Sequence, residues 1–228
     1  PIGAIREAAE IIRALLAGES AGYAGAVYQI ADHVRAPYPL PDAPIPLQIG
    51  TWGKKLGALA GEAADEVKIG GSANPAVIPL MADYVAAGEA RAGRRRGSVN
   101  IVIGAVSVVD EDREAARWQA RKTVSLYLPI VSTLDTTLEI DPELMARVQE
   151  QVNAGESDAA ARLIPDDILD RFIFAGDARD IIEQCARLYD AGAQRIELGT
   201  PHGVSEAATG IRLIGEQVMP ALGEYLSN

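Results

Sequence analysis

Two stretches of this chain set residues capable of chemistry beside glycine. In the first, Pro44-Ile45-Pro46-Leu47-Gln48-Ile49 runs into Gly50-Thr51-Trp52-Gly53-Lys54-Lys55, and a helical pattern follows from Lys55 to Ala64. A strand that breaks into a glycine turn and opens a helix presents free backbone N–H groups and a positive helix end, which suits a phosphate. Gly50 and Gly53 allow close approach to the backbone, with Thr51 and Trp52 between them and Lys54 adding charge. Spacing alone leaves a second reading open, a tight turn whose lysines face solvent.

The second stretch is Ile196-Glu197-Leu198-Gly199-Thr200-Pro201-His202-Gly203, a strand ending in a glycine-flanked loop. Functional loops of parallel sheets lie at the carboxyl ends of strands, so this loop is expected on the same face as the Gly50 turn. Thr200, Pro201 and His202 are the candidates for substrate contact. His202 is the one histidine expected on that face, and a lone histidine reads more readily as an exposed or hydrogen-bonded loop residue than as a functional one. Lys68 stands between Val67 and Ile69 in a strand pattern. It either points into a barrel interior toward a ligand or snorkels between helices. Arg94-Arg95-Arg96 follows a helix end and reads as a solvated loop.

What is missing narrows the chemistry. There is no nucleophile elbow, Walker loop or dinucleotide fingerprint, and no carboxylate pair can be placed together, so no catalytic residue is assigned. The formal net charge of −11 argues against a nucleic-acid partner. One cysteine, Cys185, excludes an internal disulfide and points to a reducing, cytoplasmic setting. Two histidines far apart give no metal site, and no apolar run approaches the ~20 residues of a membrane span.

The elements that must position these residues alternate. An amphipathic helix with Ile5, Ala8, Ile12, Leu15 and Leu16 on one stripe stops at Gly18. After a Pro-, Gly- and Tyr-rich segment with a small hairpin at Tyr23–Tyr28, strands are expected at Ile45–Ile49, Glu66–Gly70, Asn100–Val109 and Arg195–Gly199. A helix follows each strand, the first from Lys55 and the later ones begun by Asn74-Pro75, Asp110 and Ser205, and a further helix from Asp177 to Ala191 precedes the fourth strand. The segment around 110–175 reads as a helical insertion within a single domain over 1–228. Four strand–helix units specify a parallel α/β sheet, about half of what a closed (β/α)8 barrel needs. A helix opening at Pro1 with no lead-in suggests sequence upstream.

Four segments together resemble the luciferase-like oxidoreductase superfamily, and most closely its deazaflavin-dependent, methylenetetrahydromethanopterin-reductase-like branch. They are Pro1–Glu19, Pro44–Asp65, Phe174-Ala175-Gly176-Asp177 with the Ile181 helix to Gly192, and Gly199–Gly203. The resemblance implies a TIM barrel of the luciferase-like type, represented by its C-terminal half from helix 4 to helix 8. It implies coenzyme F420 as cofactor, with FMN as the alternative. It also implies hydride transfer between the deazaflavin C5 and a small-molecule substrate. Gly50, Thr51, Trp52, Gly53, Lys54 and Lys68 fall on the cofactor side, and Thr200, Pro201 and His202 on the substrate side. Lys54, Trp52, His202 and Lys68 depart from the residues usual in relatives, so the substrate does not carry over. Rival readings are an FMN-dependent monooxygenase of the same superfamily, a non-catalytic barrel fragment, and an unrelated phosphosugar-binding barrel. A partial barrel exposes strand edges and apolar faces, so a homo-oligomer is expected.

Overall fold

The structure, a computed structural model, describes residues 2–20, 22–40 and 42–227. Pro1 lies outside them. Contacts divide the chain into two compact units, Pro1–Lys68 with Met81–Asn100, and Ile69–Leu80 with Ile101–Asn228.

In the first unit, helix α1 (Ile2–Leu16) is followed by a hairpin of β1 (Tyr23–Ala24) and β2 (Gln29–Ile30), then β3 (Gln48–Gly50), helix α2 (Lys54–Ala63) and the start of β4 (Glu66–Gly70). The hairpin forms, but Val27-Tyr28 is its turn and not its second strand. The Glu7 carboxylate accepts the turn's N–H groups of Ala26, Val27 and Tyr28, which fixes the turn on α1. The expected apolar stripe of α1 is not its buried face. Ile5 and Ile12 stay exposed, while Glu7 and Ala9 are buried. Strand β3 starts three residues later than expected, because Pro44 and Pro46 cannot donate to a ladder. It pairs in parallel with β4, Ile49 opposite Val67 and Gly50 opposite Lys68.

Helix α3 (Val77–Arg91) carries the rest of this unit from Met81 onward. It crosses α2 at glycine: a Cβ on Gly61 would strike the Val85 carbonyl, and one on Gly88 the Ala58 carbonyl. The loop after α3 is not simply solvated. Arg94 donates to the Gly61 and Ala64 carbonyls at 3.0 and 2.8 Å, closing the end of α2. Buried Glu89 accepts from the N–H groups of Gly97 and Val99, both at 2.9 Å.

The second unit is built on β5 (Asn100–Val109), whose near-continuous apolar run is buried on both faces from Ile101 on. Helices α4 (Arg113–Ser125), α5 (Leu128–Val131), α6 (Pro142–Asn153), α7 (Ser157–Arg162) and α8 (Asp166–Phe172) form the insertion, followed by β6 (Phe174–Gly176), α9 (Ala178–Asp190) and β7 (Arg195–His202). Strand β5 pairs in parallel with both β6 and β7. Strand β6 was not anticipated; three residues carry too little pattern to announce a strand. Among the described residues there are therefore five parallel strands, not four. The chain ends in α10 (Ala207–Leu213), a π-helical turn at Ile214–Val218 and α11 (Met219–Ser227).

Caps explain the local breaks. Asp112, not Asp110, caps α4 by accepting from Ala115 N–H at 3.0 Å, while Asp110 accepts from Asp112. The helical run from Arg113 breaks at Leu126-Tyr127, because Pro129 has no N–H to give the Ser125 carbonyl and its ring crowds that carbonyl. Asp177 and Asp180 form a reciprocal capping box on α9. Ser205 does not cap the last helix; Glu206 stands at that position without a side-chain bond. The insertion packs a core of Val108, Val124, Leu128, Val148, Leu169 and Phe172, among others, so it is an integral layer. Arg117, nearly buried, clamps it by donating to Asp166 at 2.7 Å and Asp170 at 2.8 Å.

Candidate functional site

The predicted cofactor residues all lie in the first unit, and the structure gathers them. Gly50 ends β3 opposite Lys68, and the next residue, Thr51, donates its N–H to the Lys68 carbonyl at 2.9 Å. Thr51 Oγ1 then accepts from Gly53 N–H at 2.9 Å, which curls the turn toward α2. Gly53 sits at the cap position with extended backbone and no side-chain cap bond. The cap residue therefore offers the first-turn N–H groups of α2 no side-chain oxygen. A Cβ on Gly50 would meet nothing within 4 Å, and one on Gly53 only Thr51 Oγ1 at 3.8 Å. Neither glycine is required by packing, so both leave space beside a positive helix end. Lys54 and Lys55 are exposed, and Thr51 and Trp52 are half-buried.

Lys68 is half-buried in β4, and strand alternation puts it on one face with Glu66, while Val67 and Ile69 are wholly buried on the other. Registry extends that polar face to Gln48, whose amide donates to Glu66 Oε2 at 3.1 Å. Reading the sequence passed over Gln48 and Glu66. The signal was available in the polar alternation of Glu66-Val67-Lys68-Ile69.

The predicted substrate residues lie in the second unit. Strand β7 is longer than expected and runs through them to His202, with a register shift against β5 between Val106 and Val108. Thr200 and Pro201, joined by a cis peptide, are exposed, and His202 is half-buried with φ of 70°. The backbone here is tightly held. A Cβ on Gly199 would come within 3.0 Å of the Ala105 carbonyl, and one on Gly203 or Gly210 would collide with the carbonyls of Glu206 and His202. Beneath the loop lies Ser107 of β5, fully buried, with its Oγ 2.8 Å from the Gly199 carbonyl and 3.1 Å from His202 Nδ1. Ser107 was missed because the apolar run of β5 reads as pure core; a single serine within it was the signal.

A second polar cluster follows β4. Buried Asn74 donates to Asp135 Oδ2 at 2.8 Å and to Thr137 Oγ1 at 3.0 Å, and its carbonyl accepts from Ala76 N–H and Arg171. Every hydrogen-bonding position of that amide is used, so it holds structure and offers nothing to a ligand. Burial pushes the Cys185 thiol up to about 12, which leaves it inert. Among the described residues no cluster of histidine, cysteine or carboxylate groups could hold a metal, and no helix is long and apolar enough to cross a membrane.

The chain is thus a parallel α/β protein in which a strand-to-helix turn leaves room at its glycines. The sequence model of the luciferase-like monooxygenase family matches residues 1–195, and the chain belongs to that family. Its fold is the luciferase-like barrel, represented by part of its strand–helix units, as the resemblance implies. The structure matches that of the coenzyme F420-dependent tetrahydromethanopterin reductase of Methanopyrus kandleri with a TM-score of 0.85. That match has 24% identity and covers 96% of this chain and 63% of the other.

Among curated proteins, the 5,10-methylenetetrahydromethanopterin reductase of Archaeoglobus fulgidus is 31% identical, over 97% of this chain and 67% of its own length. An F420-dependent glucose-6-phosphate dehydrogenase of Microbacterium testaceum is 26% identical, over 96% of this chain and 60% of its own length. The chain thus spans roughly two thirds of the length of these relatives.

Proposed function

We propose that this chain is part of a deazaflavin-dependent oxidoreductase that moves hydride between coenzyme F420 and a small organic substrate. The observation that carries this reading is the Gly50–Lys54 turn. Its glycines face open space, its helix start has no side-chain cap, and two exposed lysines follow. Such a turn suits the phosphate of a cofactor tail. The solved tetrahydromethanopterin reductase and the sugar-phosphate dehydrogenase both carry F420 in their names and differ in substrate, which supports the cofactor more than any one substrate.

When bound, a deazaflavin supplies a carbon that gives or takes hydride. The residues of this chain hold and orient. The turn's N–H groups and Lys54 bind the phosphate, Trp52 flanks the turn, and Lys68 supplies positive charge from the adjoining strand. Thr200, Pro201 and His202 contact the substrate. No residue here needs to form a covalent bond to it, so the protein's contribution is placement and exclusion of water.

Titration with F420 and with FMN, followed by fluorescence, tests the reading. F420 binding that weakens at least tenfold in Gly50→Val, with FMN bound poorly, is the expected outcome. Tight FMN binding without F420 binding points instead to a flavin-dependent monooxygenase. We also propose that the chain self-associates, with exposed Ile211, Met219 and Leu226 of the second unit as available apolar side chains. A monomer in sedimentation would count against it.

A further inference from the structure

The Ser107 hydroxyl has one proton and two neighbours. The Gly199 carbonyl, 2.8 Å away, can only accept, so the proton is committed there. The other neighbour, His202 Nδ1 at 3.1 Å, must then donate to the serine's lone pair. A neutral imidazole that donates from Nδ1 carries no proton on Nε2. The histidine is therefore held as the tautomer in which Nε2 is an acceptor. Ser107 is fully buried, and the packing of Gly199, Gly203 and Gly210 holds the backbone that carries His202.

We infer that Ser107 is a positioning residue that sets the tautomer of His202, and that Nε2 accepts a hydrogen bond from an O–H or N–H group of the substrate. The inference rests on placing the substrate at the Thr200–His202 loop. It deepens that reading by naming a class: a ligand with a hydrogen-bond donor beside its reacting carbon, rather than one with acceptors alone. A site built to receive a donor rejects an analogue lacking it, because the imidazole lone pair is left unmatched.

The test uses the whole chain labelled with 15N-histidine. Its two histidines, His33 and His202, give two imidazole patterns, and His202→Gln assigns one of them. Long-range proton–nitrogen correlations are recorded at a pH where the spectrum itself shows both rings neutral. His202 is expected to carry its proton on Nδ1, and Ser107→Ala to shift the balance toward Nε2 severalfold. A proton on Nε2 in the unaltered chain overturns the inference, whether or not the variant folds. So does an unchanged tautomer in a folded Ser107→Ala chain.

As ligand probes, 2-propanol brings a donor and acetone only an acceptor. Movement of the Nε2 resonance with 2-propanol but not acetone is the expected result. Equal movement with both, or none with either, removes the donor preference. Loss of F420 binding with the tautomer as expected would count against the proposed function and leave the role of Ser107 standing.

Discussion

The Gly50 turn and the Gly199–Gly203 loop look alike in sequence, each a strand that runs into glycine, threonine and a bulky residue. In the structure they are opposites. At Gly50 and Gly53 the missing side chain faces open space, and at Gly199, Gly203 and Gly210 it faces backbone oxygen. The first pair is spare as far as folding goes, whereas the second set is obligatory. A glycine that packing does not require is the better pointer to a ligand, and its neighbours tell the two cases apart.

The contrast can be broken by substitution. Gly210→Ala should be the most damaging change, because the new methyl falls onto the His202 carbonyl of a well-packed loop; a loss of about 3 kcal/mol is expected in chemical denaturation. Gly199→Ala, whose Cβ comes to 3.0 Å from the Ala105 carbonyl, should cost about 1 kcal/mol in the same measurement. Gly50→Ala should leave stability within about 0.5 kcal/mol while weakening F420 binding. Equal losses of stability at Gly50 and Gly210 would erase the distinction.

The smallest effect expected is on the acid limb of stability. Burial pushes the Glu62 carboxyl up, but hydrogen bonds from Arg6 and Arg91 outweigh it and hold the group below its ordinary 4.5. The folded chain then keeps Glu62 ionised where the unfolded chain takes up a proton. Its contribution is complete above the ordinary value and drains as pH falls through the lowered one. Glu62→Gln should flatten that part of the profile in urea melts near pH 4 and below.

Strong local patterns made much of this molecule legible. The long apolar run of β5, the Asp141-Pro142 start of α6 and the Asp177 cap of α9 each declare an element within a few residues. The turn at Gly50 was legible for the same reason, since its strand, glycines and helix are contiguous. Strand β6 was not, because it is defined by partners on β5 rather than by its own three residues. Ser107 and His202 stand 95 positions apart, and only the pairing of β5 with β7 brings them together. The exposed Ile5 and Ile12 of α1 show the reverse error, an amphipathic period taken for burial when the inward positions are Glu7 and Ala9.

The saturated amide of Asn74 has a consequence for how this chain can be rebuilt. Both of its N–H bonds end on the 135–137 turn inside the insertion, and its oxygen takes Arg171 from the insertion's far end. Removing the insertion as a cassette would strand a wholly buried amide, so excision and grafting at residues 110–175 are poor engineering routes. The seam between α6 and α7 offers an alternative. Gly155 is exposed there, with φ of 76° and nothing within 4 Å of where a Cβ would stand. New chain termini or an added tag belong at that seam, where a cut leaves the Asn74 knot tied.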